Sequence, residues 1–218
     1  MKKQAIVIFG EDDNDRKAVK ELILALHPNA RGIKILMRRK PLVLMKGRTR
    51  ERTRSNAQDI ANIIRAERVR HDVKFILAHQ DCDDVEPAHL RLSKEITDSM
   101  EKFGVKAVPV TPAFEMEAWW FLWPDAVIAF NSNWNRPSMS GKHVGMVRDA
   151  KEALMRAVTK GNKRAQSRPY RESDAPLIAE KVRELGIVNK KDASSDSFEL
   201  FVKHLRNACE SLDIAYSE

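Results

Sequence analysis

Four short apolar runs divide the first half of the chain, and between them the apolar positions switch to helical spacing. The runs at 5–9, 33–37, 73–78 and 105–110 are rich in Val, Ile, Leu and Phe and largely unbroken, as strands covered on both faces should be. After the first run, Ala18, Val19, Leu22, Ile23 and Leu26 share one face of a helix that Asn14 or Asp15 can cap. His27-Pro28-Asn29 stops it. A second helix carries Ile60, Ala61, Ile63, Ile64 and Val69 behind a cap at Ser55 or Asn56. A third starts near Pro87, carries Leu90, Leu92, Ile96 and Met100, and ends at Gly104. Residues 42–45 either extend the second strand or form a hairpin after Pro41. Strands alternating with helices predict an α/β fold, a mostly parallel four-stranded sheet with right-handed crossovers, flanked by helices.

The pattern changes after the fourth run. Thr111-Pro112-Ala113-Phe114-Glu115-Met116-Glu117-Ala118-Trp119-Trp120-Phe121-Leu122-Trp123-Pro124-Asp125 holds three of the four tryptophans and reads as a short helix packed on the sheet. Beyond residue 130 comes a polar loop with Trp134, Pro137, Gly141 and His143, then helical patterns at 146–158, 175–185 and 197–212. An α/β domain at 1–130 with a helical C-terminal extension at 131–218 is expected.

At 218 residues, 43% hydrophobic and 32% charged, the chain can bury a proper core and has the composition of a soluble globular protein. It has no apolar stretch of membrane-spanning length and no signal-peptide pattern after Met1-Lys2-Lys3, and two cysteines, Cys82 and Cys209, make no disulfide framework. A cytoplasmic protein without a membrane partner is expected. The net charge of +8 and pI near 9.5 favour an anionic partner, nucleic acid first. Arg38, Arg39, Lys40, Lys46, Arg48, Arg50, Arg52 and Arg54 form one basic segment, and Lys160, Lys163, Arg164, Arg168 and Arg171 a second. Such runs are usually solvated. Beside an acidic cleft they become candidates for phosphate contact, and Arg38, Arg39, Lys46, Arg48, Arg50, Lys163, Arg164 and Arg168 are the residues assigned to it.

That cleft is the most informative feature. The first run ends in Gly10-Glu11-Asp12-Asp13-Asn14-Asp15 and the third in His79-Gln80-Asp81-Cys82-Asp83-Asp84. Ligands of open α/β sheets sit at the carboxyl ends of strands. Carboxylates gathered there repel one another unless a cation joins them, and an oxygen-rich site suits Mg²⁺ or Mn²⁺. Glu11, Asp81 and Asp83 are the candidate catalytic and metal-binding residues of a phosphodiesterase. Glu115 and Glu117 follow the fourth strand. Residues two apart do not share a helix face, so one of them is expected in the cleft, and Glu117 is chosen as a fourth metal ligand. Asp13 and Asp15 also suit helix capping. His79 and His143 read as satisfied polar residues, and Cys82 as a small filler.

Glu11 with Asp15 four positions on, then Asp81-x-Asp83 after a later strand, resembles the TOPRIM fold of topoisomerases, primases and OLD-type nucleases. Glu117-Ala118-Trp119, Tyr170-Arg171-Glu172 and Asp196-Ser197-Phe198-Glu199-Leu200-Phe201 narrow the resemblance to small TOPRIM-like proteins of the DUF4276 kind. The resemblance implies a role for Glu11 in acid-base chemistry or metal binding, and Mg²⁺ held by Asp81 and Asp83. It also implies a partner ATPase of the AAA or ABC type in phage defence. Asp12 stands where the family usually has Gly. Two other functions fit the same acids. One is a catalytically inactive adaptor for nucleic acid or an ATPase. The other is a receiver-like domain phosphorylated on Asp81, for which Val110-Thr111 is a further echo; it lacks a fifth strand ending in Lys-Pro.

Overall fold

β1 (Lys3–Phe9), β2 (Lys34–Arg38), β3 (His71–His79) and β4 (Ala107–Val110) make one sheet, parallel throughout, in the order β2-β1-β3-β4. The computed structural model describes residues 2–39 and 50–210; the stretch 42–45 lies outside them. Successive strand side chains point to opposite faces, and here both faces are apolar. Ile6, Ile8, Phe75, Leu77, Val108 and Val110 enter one core, while Ala5, Val7, Phe9, Ile76 and Ala78 enter the other. The unbroken runs of the sequence have this two-sided burial as their cause.

α1 (Asp13–Leu26) packs on the first face. Its cap is Asp12, whose carboxylate accepts from the Asn14 and Asp15 backbone N–H groups at 2.6 and 2.9 Å. The expected cap at Asn14 or Asp15 is therefore displaced by two or three positions, which frees Asp15 to face the sheet edge. α2 (Arg50–Arg70) and α3 (Ala88–Glu101) cover the second face. α2 begins before its expected cap, because the Arg- and Glu-rich turn at its start propagates helix well; Ser55 and Asn56 lie inside it. Its buried face is Ala57, Ile60, Ala61 and Ile64, and Val69 is exposed. Of the face expected for α3, Ile96 and Met100 are buried and Leu92 packs against the core, while Leu90 is exposed and His89 and Ser93 are buried on the inward side instead.

α4 (Glu117–Trp120) and α5 (Pro124–Phe130) follow β4, then α6 (Ala150–Thr159), α7 (Lys163–Ser167), α8 (Ala175–Glu184) and α9 (Asp196–Glu210). The helix expected at 146–158 starts later, after a 3₁₀ turn at Val144–Met146. Leu154, Ile178, Phe198 and Phe201 share the first core with Ile6 and Trp119, so the helical C-terminal region completes the sheet's own core. Trp119 stacks on Phe201 at 5.7 Å and meets Phe198 edge-on at 5.2 Å. Such pairs add about 0.5–1.5 kcal/mol each beyond their burial.

Arg168 works inside this region. Its two terminal nitrogens hold the buried carboxylate of Asp174 at 2.7 and 2.6 Å, and its guanidinium lies 5.9 Å from the Phe130 and Trp134 ring centres. Arg168→Ala leaves Asp174 without its counter-charge and is expected to cost about 3 kcal/mol in urea unfolding. Arg168→Lys should recover only part of that, because an ammonium cannot reproduce the two-pronged pairing. Equal stability of the alanine variant and wild type would contradict the structural role.

Candidate functional site

The parallel pairing of β3 and β4 runs on past both strand ends. Gln80 N donates to Val110 O at 3.0 Å, Cys82 N to Pro112 O at 3.1 Å and Asp83 N to Phe114 O at 3.0 Å. Asp83 and Phe114 then turn with φ of 54° and 60°, a left-handed conformation that Asp tolerates better than bulkier residues. Asp81 is thereby held at the carboxyl edge of the sheet, next to the segment that leads into α4.

Asp81 is the hub of the acids there. Glu11, Asp15, Glu115 and Glu117 all feel its charge, and burial plus this mutual repulsion raises each of their carboxyls. Asp15 rises to about 6, with burial foremost and His79 opposing it. Glu117, 8% exposed, rises to about 8, again chiefly through burial, even though the Tyr170 hydroxyl donates to it at 3.0 Å. Glu115 accepts from the Lys151 backbone N–H at the start of α6, at 3.1 Å. Lys151 Nζ pairs with Glu172.

His79, 2% exposed, sits between Asp15 and Asp81. Nε2 lies 3.4 Å from Asp81 Oδ1, and Nδ1 lies 3.7 Å from Asp15 Oδ2, contacts too long or poorly aligned to be strong hydrogen bonds. Burial alone would lower its pKa, but Asp15, Asp81 and Glu11 outweigh it and raise the imidazole to about 9. At neutral pH the buried imidazolium therefore sits among the carboxyls of Asp15, Asp81 and Glu11. Gly10 makes this approach possible, since a Cβ there would come within 2.9 Å of Arg16 Cγ and 3.3 Å of His79 Cβ. Arg16, itself buried, donates to the Gly10 carbonyl at 3.0 Å and fixes the turn that presents Glu11.

A second group lies at the start of α9. His143 Nε2 is 3.2 Å from Glu86 Oε2 and 3.4 Å from Asp196 Oδ1. One ligand atom from each of the three falls within 4.8 Å of the others, a set that can hold a metal ion. Gly145 is obligatory beside it: an added Cβ would lie 2.0 Å from the Glu86 carboxyl carbon. Gly145→Ala should displace Glu86 and cost about 3 kcal/mol, as overpacking of a fixed site does. A thermal melt matching wild type would contradict that tight fit.

No family model, curated protein or solved structure matches this chain. Of the TOPRIM resemblance, what stands is the α/β fold with a four-stranded parallel sheet.

The sequence-assigned acids do come together. Glu11, Asp81 and Glu117 share one edge, and Asp83 adds to the field on Glu11. Glu115 joins them as well, contrary to the expectation of one residue from the pair, because α4 begins only at Glu117 and helical spacing does not govern Glu115. The basic residues are more scattered. Arg39, Lys163 and Arg164 are exposed, whereas Arg38 pairs with Glu67 and Arg168 with Asp174. Lys46 and Arg48 lie outside the described residues, as does the Arg50 side chain. His79 and His143 are not the plainly satisfied residues their isolation in the sequence suggested.

Proposed function

We propose that the protein is a Mg²⁺- or Mn²⁺-dependent phosphodiesterase acting on DNA or RNA, with the Asp81 cluster as its site. The observation that carries this reading is the convergence of Glu11, Asp81, Asp83 and Glu117 from three strand ends, with Asp81 Oδ1 buried and without a hydrogen bond. Oxygen donors gathered at one edge suit a hard divalent cation; among the described residues the set already within 4.8 Å of one another is Glu86, His143 and Asp196, so the Asp81 acids would draw in around an ion. Glu11, Asp81, Asp83 and Glu117 would hold it; once bound, such an ion neutralises a phosphodiester's charge and makes water more acidic. The charge of His79 lies 3.4 Å from Asp81, and Tyr170 fixes Glu117 by a hydrogen bond. Glu11, exposed at the rim, is placed to take the proton from an attacking water. Arg39, Lys163 and Arg164 are free to meet phosphates. A partner ATPase and a part in phage defence follow from the family resemblance alone.

One observation favours the inactive adaptor instead. His79 as imidazolium, together with the raised carboxyls, offsets much of the cluster's repulsion without any metal. The two readings part on turnover. Plasmid DNA and single-stranded RNA, incubated with the full chain and Mg²⁺ or Mn²⁺, should be cut, and EDTA should stop the cutting. Binding of either nucleic acid with no metal-dependent products would overturn the enzyme reading and leave the adaptor.

A further inference from the structure

We infer that Glu86, His143 and Asp196, with His89 alongside, form a second metal site for a borderline ion of the Zn²⁺ type, built from residues that the Asp81 cluster does not use. Two ligands at ordinary Zn–N and Zn–O lengths around a tetrahedral ion stand about 3.4 Å apart. The 3.2 and 3.4 Å from His143 Nε2 to Glu86 and Asp196 match that span.

The ligands are held in place by the protein itself. Glu86 Oε1 accepts from Ser195 Oγ at 3.0 Å and Ser197 N at 2.8 Å, and Oε2 accepts from Asp196 N at 2.9 Å. A carboxylate has about four acceptor positions, so one remains on Oε2, beside the His143 ring. Metal-binding carboxylates are commonly steadied by such outer hydrogen bonds. The backbone joins the three segments: Glu86 N donates to Gly145 O at 3.0 Å, and Val144 N donates to Ser194 O at 2.8 Å.

His89 is the independent observation. It is 1% exposed, neither ring nitrogen has a hydrogen-bond partner, and its charged neighbours are Glu86, Asp196 and His143. A buried imidazole left unsatisfied is costly, and this one lies unpartnered against the three candidate ligands. An imidazole with two carboxylates, and a second imidazole alongside, suits Zn²⁺ and its neighbours better than Mg²⁺ or Ca²⁺, which prefer all-oxygen sites. His143 and Asp196 have side chains 36% and 72% exposed, so an ion and a water ligand can reach them from solvent.

Bound there, the ion would pin the start of α9 to the loop before α3. Ser197, in the first turn of α9, accepts from Trp119 Nε1 at 3.1 Å, and Trp119 shares α4 with Glu117. The site would thus brace the helix that carries a residue of the Asp81 cluster.

The test is Co²⁺ titration of the metal-free full chain, read by visible absorption. Wild type should take up one equivalent with the intense band of a four-coordinate ion, and Zn²⁺ should displace it. His143→Ala should abolish the band. His89→Ala should weaken binding about 10–100-fold, and Asp81→Asn/Asp83→Asn should leave the band unchanged. Folding of each variant is checked by far-ultraviolet circular dichroism. No uptake by wild type, a band that survives His143→Ala, or a band lost in Asp81→Asn/Asp83→Asn would overturn the site. Binding unaltered by His89→Ala would likewise overturn the site as proposed.

Discussion

Asp81→Asn/Asp83→Asn is expected to lower metal-dependent cleavage by about three orders of magnitude, or about 4 kcal/mol of transition-state stabilisation. Asp81 is the residue whose charge the other acids share, so neutralising it weakens every cation contact at the strand ends. The backbone pairing of 80–83 with 110–114 does not involve these side chains, and the variant should fold. Asp13→Asn is the control. Asp13 is an exposed acid at the start of α1, just past Glu11, occupied with Lys17 and Arg16, and its loss should leave the rate within about twofold, as for a surface pair. Single-turnover cleavage at saturating Mn²⁺ decides it. Equal losses from both substitutions would show that general negative charge, and not this cluster, governs the reaction.

The metal-free protein should also lose stability as pH rises from 5 to 9. Asp15, Glu117 and His79 all hold their protons more tightly when folded than their ordinary values of 3.8, 4.5 and 6.5 would allow. The native state therefore binds more protons than the unfolded chain, and linkage makes stability fall with pH. Asp15 contributes its loss between 3.8 and about 6, Glu117 between 4.5 and about 8, and His79 between 6.5 and about 9. At about 1.4 kcal/mol per unit, with the three groups coupled, the total is on the order of 5 kcal/mol. In Tm that is a fall on the order of 10 °C for a chain of this size. Mg²⁺ at about a hundredfold above its Kd should return about 2.7 kcal/mol at pH 9. A Tm that holds steady from pH 6 to 9, with or without Mg²⁺, would contradict the described charge balance.

The sheet was legible because its central strands β1 and β3 are buried on both faces, which leaves unbroken apolar runs such as 5–9 and 75–78. Helix starts were less so. Asp12, Asn14 and Asp15 can all cap, and only the folded turn shows that Asp12 does. α3 could not be oriented from its leucines, because its inward face includes His89 and Ser93. The Asp81 cluster was readable as acids at strand ends. The placement of His79 was not, since nothing local distinguishes it from a histidine that merely ends a strand. The Glu86, His143 and Asp196 group had no sequence signal at all: its members are far apart in the chain and are joined by the bridge between His143 and Ser194 and by the hydrogen bonds of Glu86 to 145 and 195–197. Arg168 shows the reverse case, a residue in a basic loop whose charge is committed to Asp174.

Calorimetric titration of Mn²⁺ and Mg²⁺ into wild type and Asp81→Asn/Asp83→Asn, on protein already saturated with Zn²⁺, tests the Asp81 cluster most directly. Wild type should bind the divalent ion and the double variant should not, with nuclease activity lost in the same samples. Wild type that binds neither ion, or a double variant that binds as well as wild type, would contradict a metal centre at the ends of β1 and β3.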